Sequence, residues 1–418
     1  MAIVPHPKAQ RPTERGKTAV DERPLTRHLQ QDFSLVLGGP FYQLLRRTHL
    51  SGSALEQLRG RTLTAVAVTW LPLLLLALAS GEALGGKAGL PFLYDVEVHL
   101  RFLAALPLLI VAELIVHQRM RLVVRRFIER RLIPDAALPR FDEAIAAAFR
   151  LRNAFAPELV FVAFVYLVGV MIVWRHGIAL STTATWYGMP SPTGMQLTSP
   201  GIWYVFVSLP IFQFLLLRWY FRLFIWVRFL WQVSRINLTL VPTHPDRVGG
   251  LGFLANIAYA FVPLATAHGI MLAGPVANRI LYVGAKLPQF KAEIAMLVAW
   301  LSLVVFGPFL VFAQQLASAK RLGLGEYGTL AERYVREFDA KWVRGGASAG
   351  EPLLGSSDVQ SLADMANSFD VVKRMQIAPI TRDAFLGLAV ATLAPIAPLA
   401  LTMMSFEDLV RKLLAMLF

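Results

Sequence analysis

Seven blocks of mainly apolar residues constrain this chain more than any other feature. A helix needs about 20 such residues to cross the hydrocarbon core of a bilayer. Of the 418 residues, 56% are hydrophobic and only 16% are charged, whereas about a quarter are charged in soluble domains. We therefore predict an all-α polytopic membrane protein with about seven transmembrane helices. The blocks are residues 62–79, 100–116, 155–174, 202–227, 251–273, 292–313 and 384–404.

The distribution of basic residues predicts how these helices are oriented. Lys and Arg exceed Asp and Glu by 41 to 27, which gives a net charge of +14. The connection 119–152 carries nine arginines, whereas 182–200 has neither Lys nor Arg. By the positive-inside rule the first faces the cytoplasm and the second the other side. The excess charge therefore indicates topology, and we expect the bilayer and not nucleic acid as the partner.

Four regions follow along the chain. Residues 1–61 form a cytoplasmic or interfacial arm without the apolar core of a cleavable signal. Within it, 32–47 fits an interfacial segment or one packed on the cytoplasmic face. Residues 62–313 form a six-helix transmembrane region that includes the basic connection 117–154. Residues 314–382 form a cytoplasmic helical segment. Residues 383–418 contain the last span and a short amphipathic helix. With the N-terminus inside, seven spans place the C-terminal tail outside.

Two stretches of the 314–382 segment have the pattern of amphipathic helices. In 329–343, apolar residues recur every four positions between charged ones. In 356–375, N-cap residues precede an apolar stripe that Pro379 ends. Such helices must bury their apolar faces. We expect them to pack on each other, on the cytoplasmic ends of the spans or on a neighbouring subunit.

Basic residues cluster most densely in the fourth block, where Arg218, Arg222 and Arg228 interrupt an aromatic-rich helix. An arginine at the bilayer centre costs roughly 2.5–3.5 kcal/mol, so it must pair, reach the interface or contact water. Arg218 and Arg222 share a helix face, whereas Arg228 is turned roughly 80° from it. Two interpretations stay open: an interfacial helix with an aromatic belt, or a cationic wall on a cavity that attracts anions.

The turn before the fifth block concentrates polar chemistry. Its ionisable residues are His244, Asp246 and Arg247, and its glycines are Gly249, Gly250 and Gly252. The glycines allow close backbone approach, and amides at the start of the fifth span can hold an anion. The alternative is a rigid turn in which Asp246 caps that span.

Two further ionisable residues lie inside apolar blocks, where such groups suggest function. Glu113 is one turn from His117, so an intramembrane site and a place near the inner boundary are both open. His268 fits a hydrogen-bonded residue between packed helices better than a site. Pro395 and Pro398 predict a kink in the last span.

The sequence offers no motif for a cofactor, a metal or a nucleotide. Phosphate-binding loops, His-Glu-x-x-His and Rossmann fingerprints are missing. The lack of cysteine excludes disulfides and thiolate zinc sites. We therefore expect no cofactor and no metal, and an enzyme is not the favoured class.

The strings Pro242-Thr-His-Pro-Asp-Arg-Val-Gly-Gly-Leu-Gly-Phe253 and Ser357-Asp-Val-Gln-Ser-Leu-Ala-Asp-Met-Ala-Asn-Ser-Phe369 carry a resemblance. Together with the proline-rich last span, they resemble an uncharacterised group of bacterial multi-pass inner-membrane proteins. The resemblance covers the C-terminal half best. It implies the bacterial inner membrane and no particular activity.

Three hypotheses for function follow. The first is a passive channel or carrier for an ion or small anion, with Arg218, Arg222 and the 244–247 residues at its cytoplasmic mouth. The second is a membrane sensor or assembly scaffold that binds a cytoplasmic protein through helices 329–375. The third is a membrane-embedded enzyme with His244 and Asp246 as acid and base. Homo-oligomerisation is left open.

Overall fold

The computed structural model describes residues 33–36, 38–40, 43, 58–85, 89–174, 184–191, 194–348 and 350–403, most of which are helical. A two-stranded antiparallel sheet, β1 (Gly188–Ser191) and β2 (Gly194–Leu197), precedes the fifth helix. In chain order the helices are α1 (Leu58–Ala79), α2 (Val96–Glu129), α3 (Asp135–Asn153), α4 (Phe155–Val170), α5 (Ser199–Val233), α6 (Leu251–Val283), α7 (Leu287–Val343), α8 (Ser357–Lys373), α9 (Arg382–Leu393) and α10 (Ala397–Met403).

Five to seven of these helices or helix pairs are suited to crossing a membrane. Helices α1, α2, α5, α6 and α7 are each long and apolar enough on their own. The pairs α3–α4 and α9–α10 qualify only as bent spans, with bends of 44° and 57°. The second bend coincides with Pro395, as the prolines predict. The prediction of a mostly helical chain with several membrane-length apolar helices is thus confirmed and is compatible with an integral membrane protein, while the count of seven stays a prediction.

The polar connections collect at two opposite ends of the bundle. At one end, which we call the basic end, Arg130 at the end of α2 donates to the Gly250 carbonyl before α6 at 3.0 Å. There too, the Gly39 amide donates to Asn153 at 3.2 Å. At the other end, Asp95 accepts from Asn278 at 2.8 Å. This grouping agrees with the predicted alternation of connections, and which end faces the cytoplasm stays a prediction.

Helix α6 is the central helix of the bundle. In the most apolar 18-residue stretch of α6, 67% of the residues are buried, whereas in the corresponding stretch of α1 only 17% are buried. It packs closely on α9: a Cβ added at Gly269 would lie 2.1 Å from the Thr392 carbonyl oxygen. Helix α1 instead exposes leucines such as Leu63 and Leu75. Exposed apolar side chains on an outer helix suit contact with lipid.

The described part of the N-terminal arm packs into the protein. The Phe33 and Phe229 rings are tilted against each other with centroids 5.1 Å apart, and Ser34 Oγ lies 2.8 Å from His117 Nδ1. Arg152 donates to the Ser34 carbonyl at 2.6 Å. Residues 33 and 34 therefore pack into the protein, as the packed alternative predicts for them. The rest of 1–57 and the predicted helix 405–418 lie outside the described residues.

Helix α7 continues far beyond the length of a membrane span. Its 57 residues correspond to about 85 Å at 1.5 Å per residue, against a hydrocarbon core of about 30 Å. Helix α8 folds back along its second half. Tyr334 donates to the Asp358 carbonyl at 3.1 Å, and Lys320 to the Met375 carbonyl at 2.7 Å. The two amphipathic helices thus pack on each other, and we call residues 320–375 the hairpin.

Candidate functional site

A buried carboxylate joins three helices near the middle of α2. Glu113 Oε1 accepts from Arg222 Nη2 on α5 at 2.6 Å, and Glu113 Oε2 accepts from Arg61 Nη2 on α1 at 2.7 Å. Glu113 is 4% exposed, and each of the two arginines is 6% exposed. Charges this deeply buried are stable only when paired and hydrogen-bonded.

Arg218 extends this group to a fourth helix. Its Nε lies 3.6 Å from Glu158 Oε1 on α4, and the arginine is itself 7% exposed. Arg222 is also held over the Trp219 ring, with Cζ 4.9 Å from the ring centroid. The Trp219 indole donates to the Leu109 carbonyl at 2.9 Å, which fixes the ring. We call Arg61, Arg218, Arg222, Glu113 and Glu158 the arginine–glutamate cluster.

The cluster lies toward the basic end of the bundle. Arg61 is the fourth residue of α1, and Glu158 is the fourth residue of α4. Helix α4 starts directly after Asn153, which contacts the N-terminal segment at that end. The structure thus differs from both interpretations of the fourth block. Arg218 and Arg222 face carboxylates inside the protein, because neighbouring helices supply Glu113 and Glu158.

Two donors of the cluster lack a partner among the described residues. Glu113 accepts from Arg61 and Arg222 through their Nη2 atoms only. The Nη1 atoms of Arg61 and Arg222 are buried and have no hydrogen-bond partner among the described residues. Buried donors without partners are rare in proteins, and each one requires an explanation.

Asp246 organises the turn before α6. Its Oδ1 accepts from the amides of Val248 at 3.0 Å and Gly250 at 3.1 Å, and its Oδ2 accepts from Gly252 at 2.8 Å. Gly249 and Gly250 have φ of +64° and +100°, which favour glycine. The amides predicted to hold an anion are therefore occupied by the carboxylate of Asp246. The structure follows the capping alternative here.

The other two ionisable residues of this turn have local roles. His244 Nδ1 lies 2.9 Å from Asp246 Oδ1. The Arg247 carbonyl accepts from the Gln376 amide at 2.7 Å, and its side chain is exposed. Asp246 Oδ2 also lies 3.9 Å from Arg130 Nη1 of α2. The described contacts of this turn thus run to α2 and to the hairpin, whereas those of Arg222 run to Glu113 and Trp219.

His268 and Arg228 take no part in the cluster. His268 is buried, with Nδ1 2.7 Å from the Leu264 carbonyl and Nε2 2.7 Å from the Tyr220 hydroxyl. Both ring nitrogens thus have partners, as expected of a residue between packed helices. Arg228 is exposed, as its different helix face predicts.

Sequence reasoning missed the partners of the arginines and a second polar group. Arg61 falls at the end of the predicted N-terminal arm, outside the first apolar block. Glu158 is a lone carboxylate early in an apolar block, and this is the one sequence signal that indicates a partner for Arg218 on the fourth helix. At the opposite end, Asp95 Oδ2 accepts from the Trp186 indole at 2.9 Å, and Arg101 donates to the Tyr204 hydroxyl at 2.6 Å. These contacts link α2 to α5 and to the segment before β1.

Neither polar group has the composition of a metal site. Within the described ranges, no three His, Cys, Asp or Glu side chains come together to hold a metal ion. No protein-family model matches this sequence, and comparisons with curated proteins and with solved structures give no match. The function of the chain is therefore inferred from its own structure and chemistry.

Proposed function

We propose that this integral membrane protein presents its hairpin to a protein partner, as a sensor or an assembly scaffold. The observation that carries the proposal is the exposed apolar surface of the hairpin. Leu354 is 90% exposed at its tip, and Leu330, Val335, Val343 and Leu353 are also exposed. Apolar groups that cluster on a projecting element indicate a binding surface.

The charged side chains of the hairpin are largely paired with each other. Ion pairs join Arg333 to Glu337 and Arg374 to Asp370, each within one helix. Lys341 Nζ lies 2.8 Å from Asp358 Oδ2, which links α7 to α8. Because these charges already have partners, recognition rests on the apolar side chains. The expected partner therefore offers an apolar, weakly charged groove or helix face.

The base of the hairpin is fixed to the membrane helices. The Gln376 amide donates to the Arg247 carbonyl, and Thr243 Oγ1 lies 3.5 Å from the Tyr327 hydroxyl. Arg130 of α2 in turn donates to the Gly250 carbonyl. A partner on the hairpin is thus connected to α2 and α6 through the Asp246 turn, which suits either a sensor or a scaffold.

Site-specific photo-crosslinking tests this proposal in cells that make the full chain. A crosslinker at position 354 is expected to give a discrete adduct with one identified protein, and the same probe at the lipid-facing position 75 is not. Purified partner must then bind the parent chain at a fixed ratio. Leu353→Ser with Leu354→Ser is expected to weaken binding at least about tenfold, and Ser361→Ala to leave it unchanged. An adduct only with a second copy of this chain would overturn the proposal.

A passive channel or carrier is the second candidate function, and the buried Nη1 donors of Arg61 and Arg222, which lack partners among the described residues, favour it. The expectation is that purified protein in liposomes passes a small anion and that Arg222→Ala lowers this flux. Asp246→Ala is expected to alter the anion flux because it removes the carboxylate that holds the turn before α6. Absence of flux from the parent protein contradicts this candidate and leaves the hairpin proposal untouched.

A further inference from the structure

We infer that a groove on the side of the bundle binds one anionic glycerophospholipid, with its phosphate at Lys291 and one acyl chain along α7. This lateral groove lies between α7 and the α9–α10 pair, where Phe385, Leu393 and Met403 form the wall opposite α7. Its volume of about 760 Å³ is within the roughly 300–1,000 Å³ of sites that hold small ligands. The inference does not depend on what the hairpin binds.

Small side chains of α7 form the floor of the lateral groove. Ala295, Ala299 and Ser302 line it at intervals of four and three residues, so they share one face of the helix. The adjoining surface of α7 exposes large apolar side chains, among them Met296 and Leu303. Because α7 is long and apolar enough to cross a membrane, a groove beside these side chains opens toward the acyl chains of the bilayer.

The length of the lateral groove matches one leaflet of a bilayer. Lys291 directly precedes the apolar block 292–313, and Ser302 lines the groove farther along the same helix. The two residues are about 16.5 Å apart along the helix axis, whereas half of the hydrocarbon core measures about 15 Å. A lipid with its phosphate at Lys291 can therefore lay an acyl chain along the groove as far as Ser302.

The charge of the lateral groove selects the headgroup. Lys291 is the one charged residue among the described residues that line the groove. It is exposed and forms no ion pair with another described residue, and the nearby Glu293 lies about 200° around the helix from it. The apolar stem of a lysine can follow the groove while its ammonium group reaches a headgroup phosphate. No carboxylate among the described lining residues can accept the ammonium group of a zwitterionic headgroup, so the charge favours an anionic lipid.

Native mass spectrometry of the full chain tests the inference. The protein is incubated in an uncharged detergent with phosphatidylglycerol or with phosphatidylcholine of the same acyl chains, and the lipids that it retains are counted. We expect the parent chain to bind one phosphatidylglycerol saturably and to bind phosphatidylcholine about fivefold more weakly, since one lysine contributes this much at an anionic lipid. Equal binding of the two lipids overturns the inference.

Matched variants assign the lipid to the lateral groove. Lys291→Gln is expected to weaken phosphatidylglycerol binding about fivefold, and Lys286→Gln, at an exposed lysine that does not line the groove, to leave it unchanged. Ala299→Phe fills the groove and is expected to weaken binding of both lipids, whereas Met296→Phe, on the adjoining exposed surface, is expected to keep it. Unchanged binding in Lys291→Gln overturns the inference, even if Ala299→Phe fails to fold.

Other occupants of the lateral groove would give different results. A second copy of the chain would give a dimer that Ala299→Phe dissociates. Residues 405–418 lie outside the described residues, and a chain that ends at 404 and binds more phosphatidylglycerol than the parent would show that this segment fills the groove. Either result overturns the inference. Leu353→Ser with Leu354→Ser is expected to bind phosphatidylglycerol as the parent does, so failure of the hairpin proposal remains distinguishable.

Discussion

At the scale of single residues, Glu113 connects parts of the chain that are distant in sequence. Its two arginine partners lie 52 and 109 residues away, on helices on either side of it. Each carboxylate oxygen takes one guanidinium, so loss of the carboxylate leaves two buried cations facing each other. Removal of one partner from a buried pair is among the most destabilising single changes.

Glu113→Gln is therefore expected to destabilise the folded protein in detergent by about 3–5 kcal/mol. Arg228→Gln alters an exposed arginine of α5, the helix that carries Arg222. It is expected to change the free energy of unfolding by less than about 0.5 kcal/mol. Reversible unfolding followed by tryptophan fluorescence measures both. Equal stability of Glu113→Gln and the parent would falsify the structural role of this carboxylate.

Sequence reasoning identified part of this group and could not complete it. Arg218 and Arg222 were predicted to share a face because their spacing is one helical turn, and Glu113 was recognised as an ionisable residue in an apolar block. The pairing itself depends on how four helices pack, which no local pattern records. The arginines were accordingly placed at a headgroup or cavity surface, whereas α2 and α4 supply their carboxylates.

At the scale of elements, the hairpin depends on a close approach at its base. A Cβ added at Gly323 of α7 would lie 2.5 Å from Pro242 Cβ and 3.1 Å from Val372 of α8. The same point joins the Asp246 turn, α7 and α8. Periodicity predicted both amphipathic helices, but the sequence left three packing partners open, since an apolar stripe does not specify its neighbour.

Gly323→Val is expected to separate the hairpin from the turn, because contacts this close force a backbone shift that costs about 1–3 kcal/mol. Gly325→Ala is the matched control, since nothing lies within 4 Å of its added Cβ and alanine favours helix. Limited trypsin digestion measures the effect. Cleavage after Arg344 is expected to be faster in Gly323→Val than in the parent chain, and unchanged in Gly325→Ala. Identical digestion of the two variants contradicts the docking at the base.

The distal part of the hairpin is expected to loosen in acid. Hydrogen bonds from Lys341 and Trp342 hold the pKa of the Asp358 carboxyl below its ordinary value. A lowered folded pKa contributes stability above the unfolded pKa of about 3.9, and this is lost as pH falls through the folded value. The protection of the 339–343 amides against hydrogen exchange, measured relative to an unfolded peptide at the same pH, should therefore fall below about pH 4. Asp358→Asn should show lower protection at neutral pH and no such step.

At the scale of the whole molecule, hydropathy predicted the class of protein and the places of its apolar helices. It did so because the bilayer requires apolar length, which a single sequence displays directly. The two bent pairs show where this reasoning ends. Their halves are joined by breaks whose angle follows from packing and proline geometry, so length alone leaves the number of spans between five and seven.

Orientation can be measured cleanly because the chain contains no cysteine. Single Ser348→Cys and Gln196→Cys variants place one thiol in the hairpin and one in β2, at exposed positions. In intact bacterial cells, a membrane-impermeant maleimide is expected to label position 196 and to label position 348 only after permeabilisation. The reverse pattern contradicts the positive-inside orientation, and labelling of both in intact cells contradicts their placement on opposite sides.

The length of α7 has a mechanical consequence. From Ala313 to Val343 the helix continues for about 45 Å past its apolar part. A tilt of its membrane half by about 5° would carry the far end of a rigid helix through about 4 Å, roughly three-quarters of the pitch of one helical turn. Angular changes too small to open or close the bundle are thereby amplified at the tip that carries Leu354.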